Sequence, residues 1–165
     1  MSRKRKPHQP RRGLTKAEMI NRNRVTYLYA KDEIESRVRS LKIQVWIKRS
    51  GEEATECLAK LAWIIGLATE TEYKANGTTP RMRTLHGTLR MLHGWCLSGY
   101  TWQIDDPAGI DNALDLAYDT LMQSPTTALA MIPGADHLAA CIRAHKVLPE
   151  TIAGVEIYQT ELEAA

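Results

Sequence analysis

Through most of this chain, apolar side chains recur at intervals of three and four residues, and each run opens on a residue pair that starts helices. Thr15 with Glu18, and Ser50 with Glu53, have the spacing of a capping box, in which a hydroxyl and a carboxylate satisfy backbone amides at a helix start. Thr79-Pro80, Asp106-Pro107 and Ser124-Pro125 place proline in a first turn, where its missing N–H costs no hydrogen bond. After the first start come Ile34, Val38, Leu41 and Val45; after the second, Ala54, Cys57, Leu58, Leu61, Ile64, Ile65 and Ala68. The third leads Met82, Leu85, Leu89, Leu92 and Cys96, the fourth Ile110, Ala113, Leu114, Ala117 and Leu121. This is the period of a helix with one covered face.

The pattern predicts an all-α bundle of five to seven short amphipathic helices. A first long helix, or two joined, is expected over Met19–Arg49, and Asn76-Gly77 is a natural stop for the second. Leu41 to Lys48 also alternates as a strand would, but no second convincing strand exists to pair with it, so helix is the better reading. Pro133-Gly134 is expected to interrupt the fifth segment, with Asp136 restarting it for Leu138, Cys141 and Ile142. From Pro149 onward, Ile152, Val155 and Tyr158 allow a short helix that Gly154 weakens. The most apolar stretch, Cys57 to Ala68, is too short for a membrane span, which needs about 20 apolar residues, and it contains Lys60. It reads as a core helix.

Charge is sorted unevenly. The chain is +3 overall, but residues 1–24 hold nine bases (Arg3, Lys4, Arg5, Lys6, Arg11, Arg12, Lys16, Arg22, Arg24) against Glu18 alone, a net of +8. The remaining residues therefore carry −5. Residues 1–13 have no apolar periodicity and two prolines, and are expected to be a flexible basic arm, with 14–165 forming a single helical domain. Charge separation of this kind attracts partners without specifying a fold. The basic opening is not followed by an apolar run, so no secretory signal is read, and three widely spaced cysteines (Cys57, Cys96, Cys141) suit reduced thiols in a cytoplasmic protein.

Three charged features are candidates for binding. Arg3, Lys4, Arg5, Lys6, Arg11 and Arg12 suit a phosphate backbone or an acidic partner; a solubilising tail would have the same composition. Arg83, His86, Arg90 and His93 fall within about 80° of arc on one helix, a row able to meet phosphates or carboxylates. Asp111, Asp115 and Asp119 stand four apart on the next helix, where like charges repel by a few tenths of a kcal/mol. That acidic row calls for a counter-charge: the basic arm, the Arg83 row, a second copy of the chain, or a basic groove on a partner. A solvated acidic surface is the plain alternative.

Catalytic and metal signatures are not evident. There is no Gly-rich phosphate loop, no G-x-S-x-G elbow and no framed carboxylate pair; Asp105-Asp106 is ordinary turn chemistry. His137, Cys141 and His145 lie four apart, and His93 and Cys96 three apart, but no C-x-x-C or H-E-x-x-H accompanies them. No metal, no cofactor, no small-molecule substrate and no membrane partner are expected. Trp46, Trp63, Trp95 and Trp102 are read as core or interface anchors, with Trp95 and Trp102 flanking Gly99-Tyr100 as a candidate protein hot spot.

Ser2-Arg3-Lys4-Arg5-Lys6-Pro7, followed by Pro10-Arg11-Arg12, resembles the heads of small basic-headed proteins encoded by proteobacterial phages and prophages. The resemblance covers the first dozen residues and the general layout, and brings no catalytic residue with it. It implies a non-enzymatic inhibitor, anti-CRISPR-like, that binds a host nucleic-acid-handling complex through charged helix faces. The alternative is a nucleic-acid-binding regulatory or packaging module that uses the basic arm.

Overall fold

The structure is a computed structural model, and it describes residues 13–97, 107–145, 148, 151–152 and 155–156. The expectations for residues 1–12, for the helix end near Gly99, for Tyr100, Trp102, Asp105 and Asp106, and for Tyr158 lie outside the described residues. Five helices make up the fold: α1 (Lys16–Gln44), α2 (Gly51–Asn76), α3 (Pro80–Leu97), α4 (Pro107–Gln123) and α5 (Pro125–His145). The all-α bundle is therefore as read from the sequence. Its first two helices, at 29 and 26 residues, are long rather than short.

α2 is the axis around which the others pack. Every residue from Leu61 to Glu72 is buried, which makes this helix covered on all sides rather than amphipathic. α5 lies along it most extensively, followed by α3, α4 and α1. Leu61, Ile64, Ile65 and Leu67 meet Leu85, Leu89 and Leu92 of α3, Ile110, Leu114 and Leu121 of α4, and Leu138 and Ile142 of α5 in one continuous core. The fit of α1 comes from Ile34, Val38, Leu41 and Val45, as their spacing predicted.

Helix boundaries follow local chemistry, with four departures from expectation. The Thr15–Glu18 capping box forms: Glu18 N–H donates to Thr15 Oγ1 at 3.2 Å, and Thr15 N–H donates to Glu18 Oε2 at 2.7 Å. The latter bond is the main reason the Glu18 carboxyl is held below its ordinary value. The Ser50–Glu53 box does not form, and Ser50 makes no side-chain cap bond. Gly51 has φ +58°, and this left-handed step separates the Ser50 hydroxyl from the first-turn amides. α1 stops at Gln44 instead of reaching Arg49, because the chain must turn at Val45–Ile47 to bring α2 back along the core.

Gly77, at φ +73°, ends α2 as the Asn76-Gly77 pair predicted. Thr79 Oγ1 then accepts from Met82 N–H at 3.1 Å to open α3. The third departure is α5, which runs unbroken through Pro133. An internal proline costs a helix about 3 kcal/mol, and the long contact with α2 outweighs it. Gly134 belongs to that contact, since a Cβ there would stand 2.9 Å from Glu70 Oε2 of α2. The fourth departure follows α5, where Thr151–Ile152 pairs antiparallel with Val155–Glu156 instead of forming a helix. Thr151, Ile152 and Val155 are β-branched, which favours extended pairing over a helix.

One lateral joint ties three helices together. Trp63 of α2 is buried, its Nε1 donates to Asp136 Oδ1 of α5 at 2.8 Å, and the Arg37 guanidinium of α1 lies 4.1 Å from its ring centroid. Arg37 is itself held by Glu33 at 2.6 Å. Asp136→Ala leaves the buried indole N–H unmet and is expected to lower stability by about 1–3 kcal/mol in urea unfolding. Leu61→Ala, which opens a hole on the axis, is expected to cost about 2–5 kcal/mol by the same measurement.

Candidate functional site

The charged rows predicted on α3 and α4 sit on different helices of the bundle, and packing changes both. On α3, Arg83 and Arg90 are exposed, but His86 and His93 are buried. The four-residue row is therefore not a surface feature. Because α3 is covered by both α2 and α4, its buried arc extends past the leucine line and takes in the two imidazoles. What remains outside is a pair of arginines two turns apart, with Arg81 nearby donating to Gln123 Oε1 of α4 at 2.9 Å.

On α4, Asp111 and Asp115 already have a cation. Lys42 of α1 reaches between them, hydrogen-bonded to Asp115 Oδ1 and 3.5 Å from Asp111 Oδ2. Its pKa is raised, first by the Asp115 hydrogen bond and further by Asp111. Packing of α1 on α4 thus supplies a counter-charge from within the fold, one that reading the sequence did not find. Asp119 remains exposed one turn further on. Lys42 lies inside the Leu41–Lys48 stretch, which is helical as far as Gln44 and non-helical beyond it.

The largest exposed feature is α1 itself. From Gly13 to Thr26 every residue is exposed, and the first buried side chain of the helix is Ala30. The opening of α1, about 21 Å at 1.5 Å per residue, projects beyond the bundle. It carries Lys16, Arg22 and Arg24, all exposed, and continues directly from the basic sequence of residues 1–12. Among the described residues, all the strongly exposed large apolar side chains also lie on α1 or beside it: Leu14, Met19, Ile20, Val25, Leu28 and Tyr29 toward its start, Ile43, Trp46 and Ile47 at its end. Trp46, rather than Trp95, is the exposed indole; Trp95 packs half-buried against the core.

An open groove of about 500 Å³ lies between the end of α1 and the start of α2, lined by Gln44, Arg49, Glu52, Glu53, Glu56, Cys57 and Lys60. Its charges are mostly paired among themselves, and Glu56 also takes both Arg143 Nε and Nη2 of α5, at 2.8 and 3.1 Å. Deeper in the fold, α2 buries Thr69, Glu70, Thr71 and Glu72, where Glu72 Oε1 accepts from Thr79 Oγ1 at 2.8 Å. The apolar spacing gave no warning of these buried acids. They are enclosed because their helix is central.

Burial raises the Cys57 thiol and pushes Cys96 up to about 11, so neither is poised as a nucleophile. Cys141 Sγ lies 3.6 Å from His137 Nε2, and among the described residues no group of three or more His, Cys, Asp or Glu is placed to hold a metal ion. None of the helices, among the described residues, is long and apolar enough to cross a membrane. Comparison with known protein families, with curated proteins and with solved structures finds no match.

Lys42→Met is expected to change stability by less than about 1 kcal/mol, since the pair is part-exposed. A raised lysine pKa stabilises the fold below the ordinary value of 10.5 and loses that contribution as pH rises through the folded value. The gap between wild type and variant in denaturant titrations should therefore be present at neutral pH and close in strong alkali. Glu56, held low chiefly by Arg143, behaves oppositely. The deficit of Glu56→Gln should be present at neutral pH and vanish as pH falls below about 4.5, through the depressed value.

Proposed function

We propose that this chain is a non-enzymatic binding protein of the cytoplasm whose principal ligand is nucleic acid, engaged by the basic leader and the projecting start of α1. The observation that carries this reading is the continuity of exposed cations. Lys16, Arg22 and Arg24 stand in solvent on a helix that leaves the bundle and follows immediately on Arg3, Lys4, Arg5, Lys6, Arg11 and Arg12 in sequence. Cations so arranged release counterions from a phosphate backbone without reading bases. The two other charged rows are weaker supports, one thinned by burial of His86 and His93 and the other met by Lys42.

A second reading keeps the phage-protein resemblance. In it, exposed Asp115 and Asp119 dock on a basic groove of a host nucleic-acid-handling protein, anti-CRISPR-like, while Arg83 and Arg90 meet an acidic surface. What favours it is that Asp119 and both arginines are exposed on helices fixed rigidly to the core.

Fluorescence polarisation with a random-sequence duplex and a single strand tests the first reading. Binding should weaken steeply with salt, and Arg22→Glu with Arg24→Glu should flatten the log–log slope by about two, one for each phosphate no longer neutralised. Unchanged slope and affinity in that variant would remove α1 from the interface. For the second reading, capture of a host protein should survive nuclease treatment and be abolished in Asp115→Lys with Asp119→Lys.

A further inference from the structure

Beyond the bundle, the start of α1 keeps a sorted surface. Ala17, Asn21, Val25 and Leu28 are spaced four, four and three apart, and all four are exposed. At 100° per residue they fall within about 80° of arc. The buried stripe of Ala30, Ile34, Val38 and Leu41 is centred about 140° further round the helix. The exposed row therefore points away from the bundle, and a ligand approaching it does not meet the other helices.

The row is small or apolar apart from one amide, and cations border it on both sides. Arg22 lies about 100° from its centre in one direction, Arg24 and Lys31 about 60° and 80° in the other. Glu18, the one acid of the projection, is turned back to accept from Thr15 N–H at 2.7 Å. Asp32 stands in line with the row one turn beyond Leu28, where the helix has already met the bundle.

These borders select the occupant. A second helix of like sequence would bring its own arginines against Arg22 and Arg24. What fits is a groove whose two walls are negative and whose floor offers apolar groups beside hydrogen-bonding ones. The major groove of B-form DNA has that profile: it is about 12 Å wide, runs between two phosphate ridges, and is floored by base edges and thymine methyls.

Resting on the nucleic-acid reading above, we infer that the ligand is double-stranded DNA, that the start of α1 lies in its major groove, and that Asn21 reads a base there. Arg22 meets the phosphates of one ridge, and Arg24 and Lys31 those of the other. The Asn21 side-chain carbonyl accepts from adenine N6–H while its amide donates to N7. Ala17, one turn away, lets the helix settle and touches a thymine methyl. Length agrees, since Ala17 to Leu28 spans about 16 Å, or roughly five base-pair steps. The deep, narrow major groove of duplex RNA would not admit the helix, and the row has no aromatic on which unpaired bases could stack.

Selection of binding sites by the full chain from a random duplex pool tests this. The recovered pool should converge on a short site with one required A·T pair. Exchanging that pair for G·C should weaken wild-type binding about 5- to 150-fold, the range for one bidentate base contact. Replacing only its adenine by 7-deazaadenine, which removes the major-groove N7, should also weaken it. Asn21→Ala should bind all three duplexes alike, with the wild-type salt slope, because no cation is lost. Its fold is not at stake, since Asn21 is exposed and alanine is the better helix former. A pool that stays random while binding remains salt-dependent overturns the major-groove assignment and leaves the nucleic-acid reading standing. Discrimination that persists in Asn21→Ala, or indifference of the wild type to 7-deazaadenine, overturns it equally. Absence of any salt-dependent binding removes the nucleic-acid reading itself, and this inference with it.

Discussion

The enclosure of α2 sets the terms for the rest of the molecule. A helix buried from Leu61 through Glu72 has no solvent face, so the chain must supply covering on every side. Four helices do so, and the stripe each one presents to α2 leaves its opposite side free for charge. The same demand explains why α5 tolerates Pro133. Breaking that helix would uncover one flank of the axis, at greater cost than one missing backbone hydrogen bond.

Much of this was legible in the spacing of apolar residues, because a three-and-four period directly encodes which face a helix buries. Ile34, Val38 and Leu41, and the leucine line of α3, are buried as their spacing requires. Helix starts were legible where capping depends only on neighbours, as at Thr15 and Thr79. They were misread where a backbone turn intervenes, as at Gly51, because spacing between side chains says nothing of φ.

The charged surfaces were harder to read. Whether a side chain at the edge of an apolar stripe is inside or outside depends on how many neighbours its helix has, and that is a tertiary property. His86 and His93 share an arc with Arg83 and Arg90, yet they lie inside because α3 packs against both α2 and α4. Lys42 and the aspartates of α4 are 69 and 73 residues apart in the chain, and only the packing of α1 on α4 brings them together. The projection of α1 was invisible for a related reason: periodicity announces that a face is apolar, not where the body that covers it stops.

The joint at Trp63 gives the fold an optical consequence. Its indole is sealed between Arg37 and Asp136, while Trp46 stands in solvent in the turn that joins the first two helices. A water-soluble quencher meets the outer ring at once and reaches the inner one only when α1, α2 and α5 part. The quenching of Trp63, with the other indoles replaced by Phe, therefore records the opening of the interior.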